Sequence, residues 1–328
     1  MASNRSRSAA RSIHPLRALK SQLPHVGQAG SRSAQLHEDR PSGSSFPYQG
    51  SSWPVGTAHQ LRLRIAMILG TVGSLMIAVG GWGAGAWPVV ENLGWKIGMV
   101  VFLNRMLHSS TVLVFFGIAM LVIAWILLAR FCVETSKRAA ELIPLRVLWR
   151  TFGLWVLPLI FTAPLFTQDI YSYLAQGSIS ARGWDPYSAG PVDLLGAQDP
   201  LARSVPLMWS HSPSPYGPIA MGYSAVISWI TQDQILWAVL LHRTVAVLGL
   251  ALASWALVRL AKRCRVAPQT AMWLGILNPL AILHLVGGIH NEALMLGLML
   301  AGLELVLRGV DELPRPALRV SWAPGSSC

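Results

Sequence analysis

Asp169 stands where a long apolar stretch gives way to polar residues, in FTQDIYSYLAQGSISARGWDPY (166–187). A carboxylate at such a boundary is half desolvated, a setting in which it can take a proton from an incoming hydroxyl as a general base. Tyr171 and Tyr173 follow within one helical turn and would supply hydrogen bonds and a stacking face for a sugar ring. The structural alternative is a helix start, with Thr167 or Asp169 as its cap. The two readings do not exclude each other.

Four further groups carry chemistry. Arg182 precedes a Gly183 stop and the Asp185-Pro186-Tyr187 turn. An arginine there can fork onto a phosphate or snorkel to lipid headgroups, and Asp185 fits a turn-forming role. HSPSPYGPI (211–219) places Tyr216 in a proline-set bend before an apolar 15-residue stretch. His290, Asn291 and Glu292 sit in GIHNEA (288–293), where Glu292 also suits the first turn of a helix. Arg243 lies about two turns into an apolar segment, where a charge is costly and marks function; with His242 it could meet a lipid phosphate at that depth. His211 and His290 could hold a divalent metal, but two histidines so far apart in sequence are weak evidence for one. Cys132, Cys264 and Cys328 show no metal or disulfide spacing, so neither metal nor cofactor is expected.

The elements that must position these residues are membrane helices. Of 328 residues 53% are hydrophobic and only 12% charged, about half the charged share of a soluble domain. Mean hydropathy is +0.47. The formal charge of +12 is read as cytoplasmic tails and loops rather than nucleic-acid binding. The expected fold is an all-α polytopic membrane protein of about six spans, near 65–88, 111–130, 147–166, 236–258, 271–288 and 291–308. Residues 1–60 read as a disordered basic cytoplasmic tail, 61–308 as the transmembrane domain, and 309–328 as a polar tail or the scar of a truncation. Basic residues on 1–64 and 130–150 place both inside, so 167–235 is expected outside as the catalytic loop. The stretch 216–230 is short for a span, and counting it would put the basic run 259–265 outside. It reads instead as an amphipathic or re-entrant helix on the outer face.

FTQDIYSYLAQG, ARGWDPY, SPYGPIAMGYSAVI, HRTVAVLGLALASWAL and LNPLAILHLVGGIHNEALMLGLMLAG occur in the order seen in polyprenol-phosphomannose-dependent α-1,6-mannosyltransferases of mycolic-acid actinobacteria, and the chain resembles that family over about 60–308. The resemblance implies a GT-C-class integral membrane glycosyltransferase of the cell envelope. Its reaction would be an inverting transfer of mannose from polyprenyl phosphomannose to a mannan or lipomannan hydroxyl at the outer face of the plasma membrane. It makes Asp169 the base and aligns the family's turn with Asp185, Pro186 and Tyr187, and its outer motif with His290, Asn291 and Glu292. Aspartate is expected at the last position. Family members are nearly twice as long, so the chain resembles an N-terminal part. The rivals are a lipid or solute transporter and an inactive fragment of the enzyme.

Overall fold

A computed structural model describes residues 57–88, 90, 97–133 and 142–312. The described residues are helical, with no strand among them. The long helices are α1 (Thr57–Ala84), α3 (Leu107–Cys132), α4 (Leu145–Ile160), α9 (Ile235–Arg263) and α12 (Glu292–Glu312). A short α2 (Gly98–Arg105) precedes α3, and a bent pair, α10 (Pro268–Ile276) and α11 (Pro279–Gly287), precedes α12. Between α4 and α9 lie α5 (Asp169–Ala181), α6 (Pro191–Leu195), α7 (Pro200–Ser204) and α8 (Pro218–Thr231). Described residues up to Ala301 form one compact unit; Gly302–Glu312 belong to another and continue α12 as helix.

The chain is an all-α membrane protein. Among the described residues α1, α3 and α9 are long and apolar enough to cross a bilayer, and the bent pair makes a fourth if counted as one span. The expected span over 147–166 is helical only to Ile160, and α4's 16 residues reach ~24 Å against a ~30 Å core. Pro158 removes a donor from its last turn, and Phe161–Gln168 runs on without regular structure. The expected span over 271–288 is likewise not one helix. It bends by 48° between its halves, where the Asn278 side chain caps Pro279–Gly287 by accepting the Leu280 N–H at 2.9 Å. The tails expected over 1–60 and 309–328 fall outside the described residues, except Thr57–Gln60 and Gly309–Glu312, which are helical.

Small residues and paired indoles make the frame. In α1 and α3, Gly73 and Gly117 face each other so closely that a Cβ on Gly73 would lie 2.7 Å from the Gly117 oxygen. Backbones approach this way where lipid removes the hydrophobic drive between helices and packing must replace it. Trp125 of α3 stacks on Trp273 of α10 at 4.7 Å, and each indole N–H donates to the other's backbone oxygen, at 3.0 and 2.9 Å.

The 167–234 segment forms a second layer. Its centre is α5, in which every residue from Ile170 to Ile179 is buried. Gly177 lets α8 cross it: a Cβ there would meet the Ser224 oxygen at 2.7 Å. α8 packs Met221, Ser224, Ile227, Ser228 and Thr231 inward and exposes Ile219, Val226, Trp229 and Ile230. One buried stripe and one exposed apolar stripe on 14 residues match the amphipathic helix expected at 216–230.

Candidate active site

The site begins with how α5 starts. Leu165 donates its N–H to the Gly287 oxygen at 3.0 Å, which fixes the approach of the irregular segment. Phe166 then turns the chain with a left-handed φ of 67°. Thr167 Oγ1 accepts the Asp169 N–H at 3.1 Å, so the threonine satisfies an early donor of the helix. The Asp169 carboxylate is thereby left over. It accepts no hydrogen bond and forms no ion pair with a described residue, and it is half-buried.

Side chains from three separate stretches gather around it. Tyr173 meets Tyr216 edge to face at 4.8 Å, and Tyr223 of α8 lies 5.6 Å from the His242 ring. His290 stacks on His284 at 4.0 Å, and its Nδ1 is 3.6 Å from Glu292 Oε2. The glutamate side chain is 45% exposed, yet Oε2 itself is covered and has no hydrogen-bond donor. That oxygen is an acceptor awaiting a partner.

Electrostatics tie these groups together. Burial, with the negative charge of Asp169 and then Glu292, pushes the Tyr216 hydroxyl up to about 12. Burial and Glu292 push Tyr223 up to about 12 as well. Tyr173 is raised by burial and then by Tyr216, Glu292 and Asp169. All three hydroxyls therefore stay protonated and can donate. Burial and then His284 lower His290, with Glu292 and Asp169 pulling the other way. Asp169, Tyr173, Tyr216, His290 and Glu292 are thus brought together, with Asn291 in the turn between the last two. Tyr223 and His284 join them. Tyr223 was legible only as a tyrosine seven residues after Tyr216, and His284 only as a histidine two turns before His290.

The other expected residues are elsewhere. Arg182 is at the far end of α5, ~20 Å along the helix from Asp169. Its guanidinium pairs with Asp233 at 3.2 Å and Asp199 at 3.6 Å and lies 5.7 Å from the Trp184 ring centre, so it holds carboxylates of its own chain rather than a phosphate. Asp185 accepts the Tyr187 N–H at 2.9 Å, which makes it a turn residue. Tyr187 donates its hydroxyl to the Tyr216 backbone oxygen at 2.9 Å and braces that tyrosine. Tyr171 points away from Tyr173 and donates to the Ala86 oxygen at 2.6 Å. His242 is engaged on both nitrogens, with the Ala238 oxygen at 2.8 Å and Ser224 Oγ at 3.2 Å. Arg243 is fully buried and donates to the backbone oxygens of Ile160, Thr162, Val286 and Gly287. Neither presents itself to a lipid phosphate as expected: backbone oxygens hold the Arg243 guanidinium, and both His242 nitrogens are engaged within the chain, one by a backbone oxygen and one by the Ser224 hydroxyl.

An apolar cavity of ≈ 180 Å³ lies on the Tyr171 side of α5, lined by Trp82, Trp87, Phe161, Leu236, Leu240 and Arg243 among others. Asp169 and Glu292 are not in its lining. The ionisable groups, not the volume, mark the candidate active site. Its chemistry is that of one unengaged carboxylate beside neutral hydroxyl donors and a second carboxylate with an open acceptor oxygen. Such a set can bind a polyhydroxylated ring and remove a proton from a hydroxyl.

The chain is 47% identical to alpha-(1->6)-mannopyranosyltransferase B of Corynebacterium glutamicum over 95% of its length, covering 55% of that protein. It is 40% identical to a probable alpha-(1->6)-mannopyranosyltransferase of Mycolicibacterium smegmatis, over 82% of this chain and 49% of the relative. It is 35% identical to alpha-(1->6)-mannopyranosyltransferase A of Mycobacterium tuberculosis, over 74% and 45%. The chain therefore spans about half the length of these relatives. No solved structure matches it. The model of the alpha-(1->6)-mannopyranosyltransferase N-terminal domain matches residues 67–325, and the chain belongs to that family.

Proposed function

We propose that the chain carries the base-bearing half of a mannosyl transfer site in a membrane α-1,6-mannosyltransferase. The donor is polyprenyl phosphomannose, and the acceptor is a hydroxyl of a growing mannan or lipomannan. The observation that carries this reading is the Asp169 carboxylate. It is half-buried, without a hydrogen-bond donor among the described residues, and near enough to Tyr173, Tyr216 and His290 for its charge to act on each, as does that of Glu292.

The acceptor oxygen attacks the anomeric carbon of mannose and forms the new glycosidic bond. The bond from that carbon to the phosphate oxygen breaks, and polyprenyl phosphate leaves with the electron pair. The acceptor proton passes to Asp169. One displacement inverts the centre, from a β donor to an α product, through an oxocarbenium-like transition state. Phosphate is already a good leaving group, so no general acid is required. With Arg182 and Arg243 engaged elsewhere, the neutral hydroxyls of Tyr173, Tyr216 and Tyr223 are the donors left to meet developing charge. Glu292 Oε2 accepts from a sugar hydroxyl.

The site faces outward on this reading. The basic residues of α1's start and of the α3–α4 connection mark the cytoplasmic side, and acids dominate 167–235. Lipid-borne donor and polymeric acceptor then meet at the outer membrane surface. The deciding assay uses membranes containing the chain, radiolabelled polyprenyl phosphomannose and a short α-1,6-mannoside. Wild type should extend the acceptor, and Asp169→Asn should lose about 10²–10⁴-fold in rate while still inserting. Equal rates for the two would refute the assignment.

A further inference from the structure

We infer that Arg243 is a positioning residue: by joining two helix C-termini it fixes the spacing of the loops that carry Asp169 and Glu292. The consequence for catalysis rests on the transfer reading above, whereas the clamp itself does not.

A buried arginine at membrane depth needs compensation. No carboxylate among the described residues pairs with Arg243. Its partners are backbone oxygens at two helix ends instead. Nη1 donates to Ile160, the last residue of α4, at 2.9 Å, and to Thr162 at 2.5 Å. Nε reaches Val286 at 3.3 Å and Nη2 reaches Gly287 at 3.5 Å, the final residues of α11. The last carbonyls of a helix have no intrahelical donor, and its C-terminus carries about half a negative charge. Two such ends facing one guanidinium account for how the cation is held without a counter-ion.

Both ends lead directly into the site. Asp169 follows Thr162 by seven residues, and Glu292 follows Gly287 by five. The same seam is closed by the Leu165 N–H on the Gly287 oxygen. Lysine keeps the charge but offers three donors from a single point, so it cannot bridge two helix ends as the planar fork does. The arginine, rather than a cation in general, sets the distance between the two carboxylates.

A crosslink can replace the clamp. A Cβ placed on Gly287 would lie 3.7 Å from the Leu165 Cβ, inside the disulfide range. Arg243→Lys and Arg243→Gln should raise amide exchange about tenfold in 161–168 and 286–291 together, leaving the α1–α3 interface unchanged. They should cut kcat for mannosyl transfer about 10–100-fold with a smaller change in KM. In a Cys264→Ser background, oxidised Leu165→Cys/Gly287→Cys should restore kcat to Arg243→Lys to within about threefold of wild type, and reduction should abolish the rescue. The same crosslink with Arg243 intact should leave kcat unchanged.

Exchange rising in one loop only, in neither, or throughout the chain would overturn the inference. So would an oxidised crosslink that rescues nothing or that silences the protein with Arg243 intact. If wild type transfers no mannose at all, the transfer reading falls, and the exchange data alone decide the clamp.

Discussion

The two ends of α5 carry aspartates in opposite circumstances. At the Arg182 end, Asp233 accepts from Ser178 at 2.7 Å, from Ser228 at 2.5 Å and from Arg182 at 3.2 Å. Asp199 caps α7 there and also faces Arg182. At the other end the Asp169 carboxylate accepts nothing from a described residue, and it is the Thr167 hydroxyl that takes the Asp169 N–H. One end is a closed network that locks α5 to α8. The other holds an acid with its lone pairs open. In a segment rich in carboxylates, the acid left without a donor is the one available for chemistry.

That contrast can be broken from either side. The largest effect belongs to Asp169→Asn, which should remove about 3–5 kcal/mol of transition-state stabilisation and leave the melting temperature in detergent where it was. A large drop in melting temperature would move Asp169 into the structural class. Asp233→Ala should do the reverse. Losing its donors' partner should cost about 1–3 kcal/mol of stability, toward the lower figure because the carboxylate is about a third exposed. Thermal unfolding checks this, and no change would mean the network is idle. The smallest effect concerns His290. Its pKa is lower folded than unfolded, so the folded state binds the proton less well. The stability it contributes is present above ~6.5 and is lost as pH falls through the lowered folded value. Melting temperature should decline from pH 7 to pH 5, and His290→Gln should flatten that decline.

Much of the site was legible because its residues combine unusual type with unusual place. Asp169 at an apolar boundary and the His290-Asn291-Glu292 turn were read directly, as was the break before α8 from Pro213, Pro215 and Pro218. What the two arginines hold was not legible, for two different reasons. A sequence displays side-chain charges but not where backbone oxygens end up, and Arg243's partners are four carbonyls 43 to 83 residues away. Arg182's partners are ordinary carboxylates, but Asp233 is 51 residues distant and reaches it only because α8 folds back on α5. The ends of α4 and α10 left clearer traces. Pro158, Pro164 and the Asn278-Pro279 pair interrupt the apolar runs, but hydropathy alone passes over them.

The mutual glycine contact between α1 and α3 bears on the order of assembly. It joins two segments that are neighbours along the chain and needs no group from 142 onward. Two inserted helices that recognise each other through bare backbone can dock within the bilayer as soon as both have entered it. The hairpin should therefore already be paired in a released, membrane-inserted fragment that ends just after Cys132, which crosslinking across residues 73 and 117 would detect. Later segments would then fold against a preformed template, with the cluster of Asp169, Tyr216, His290 and Glu292 completed last.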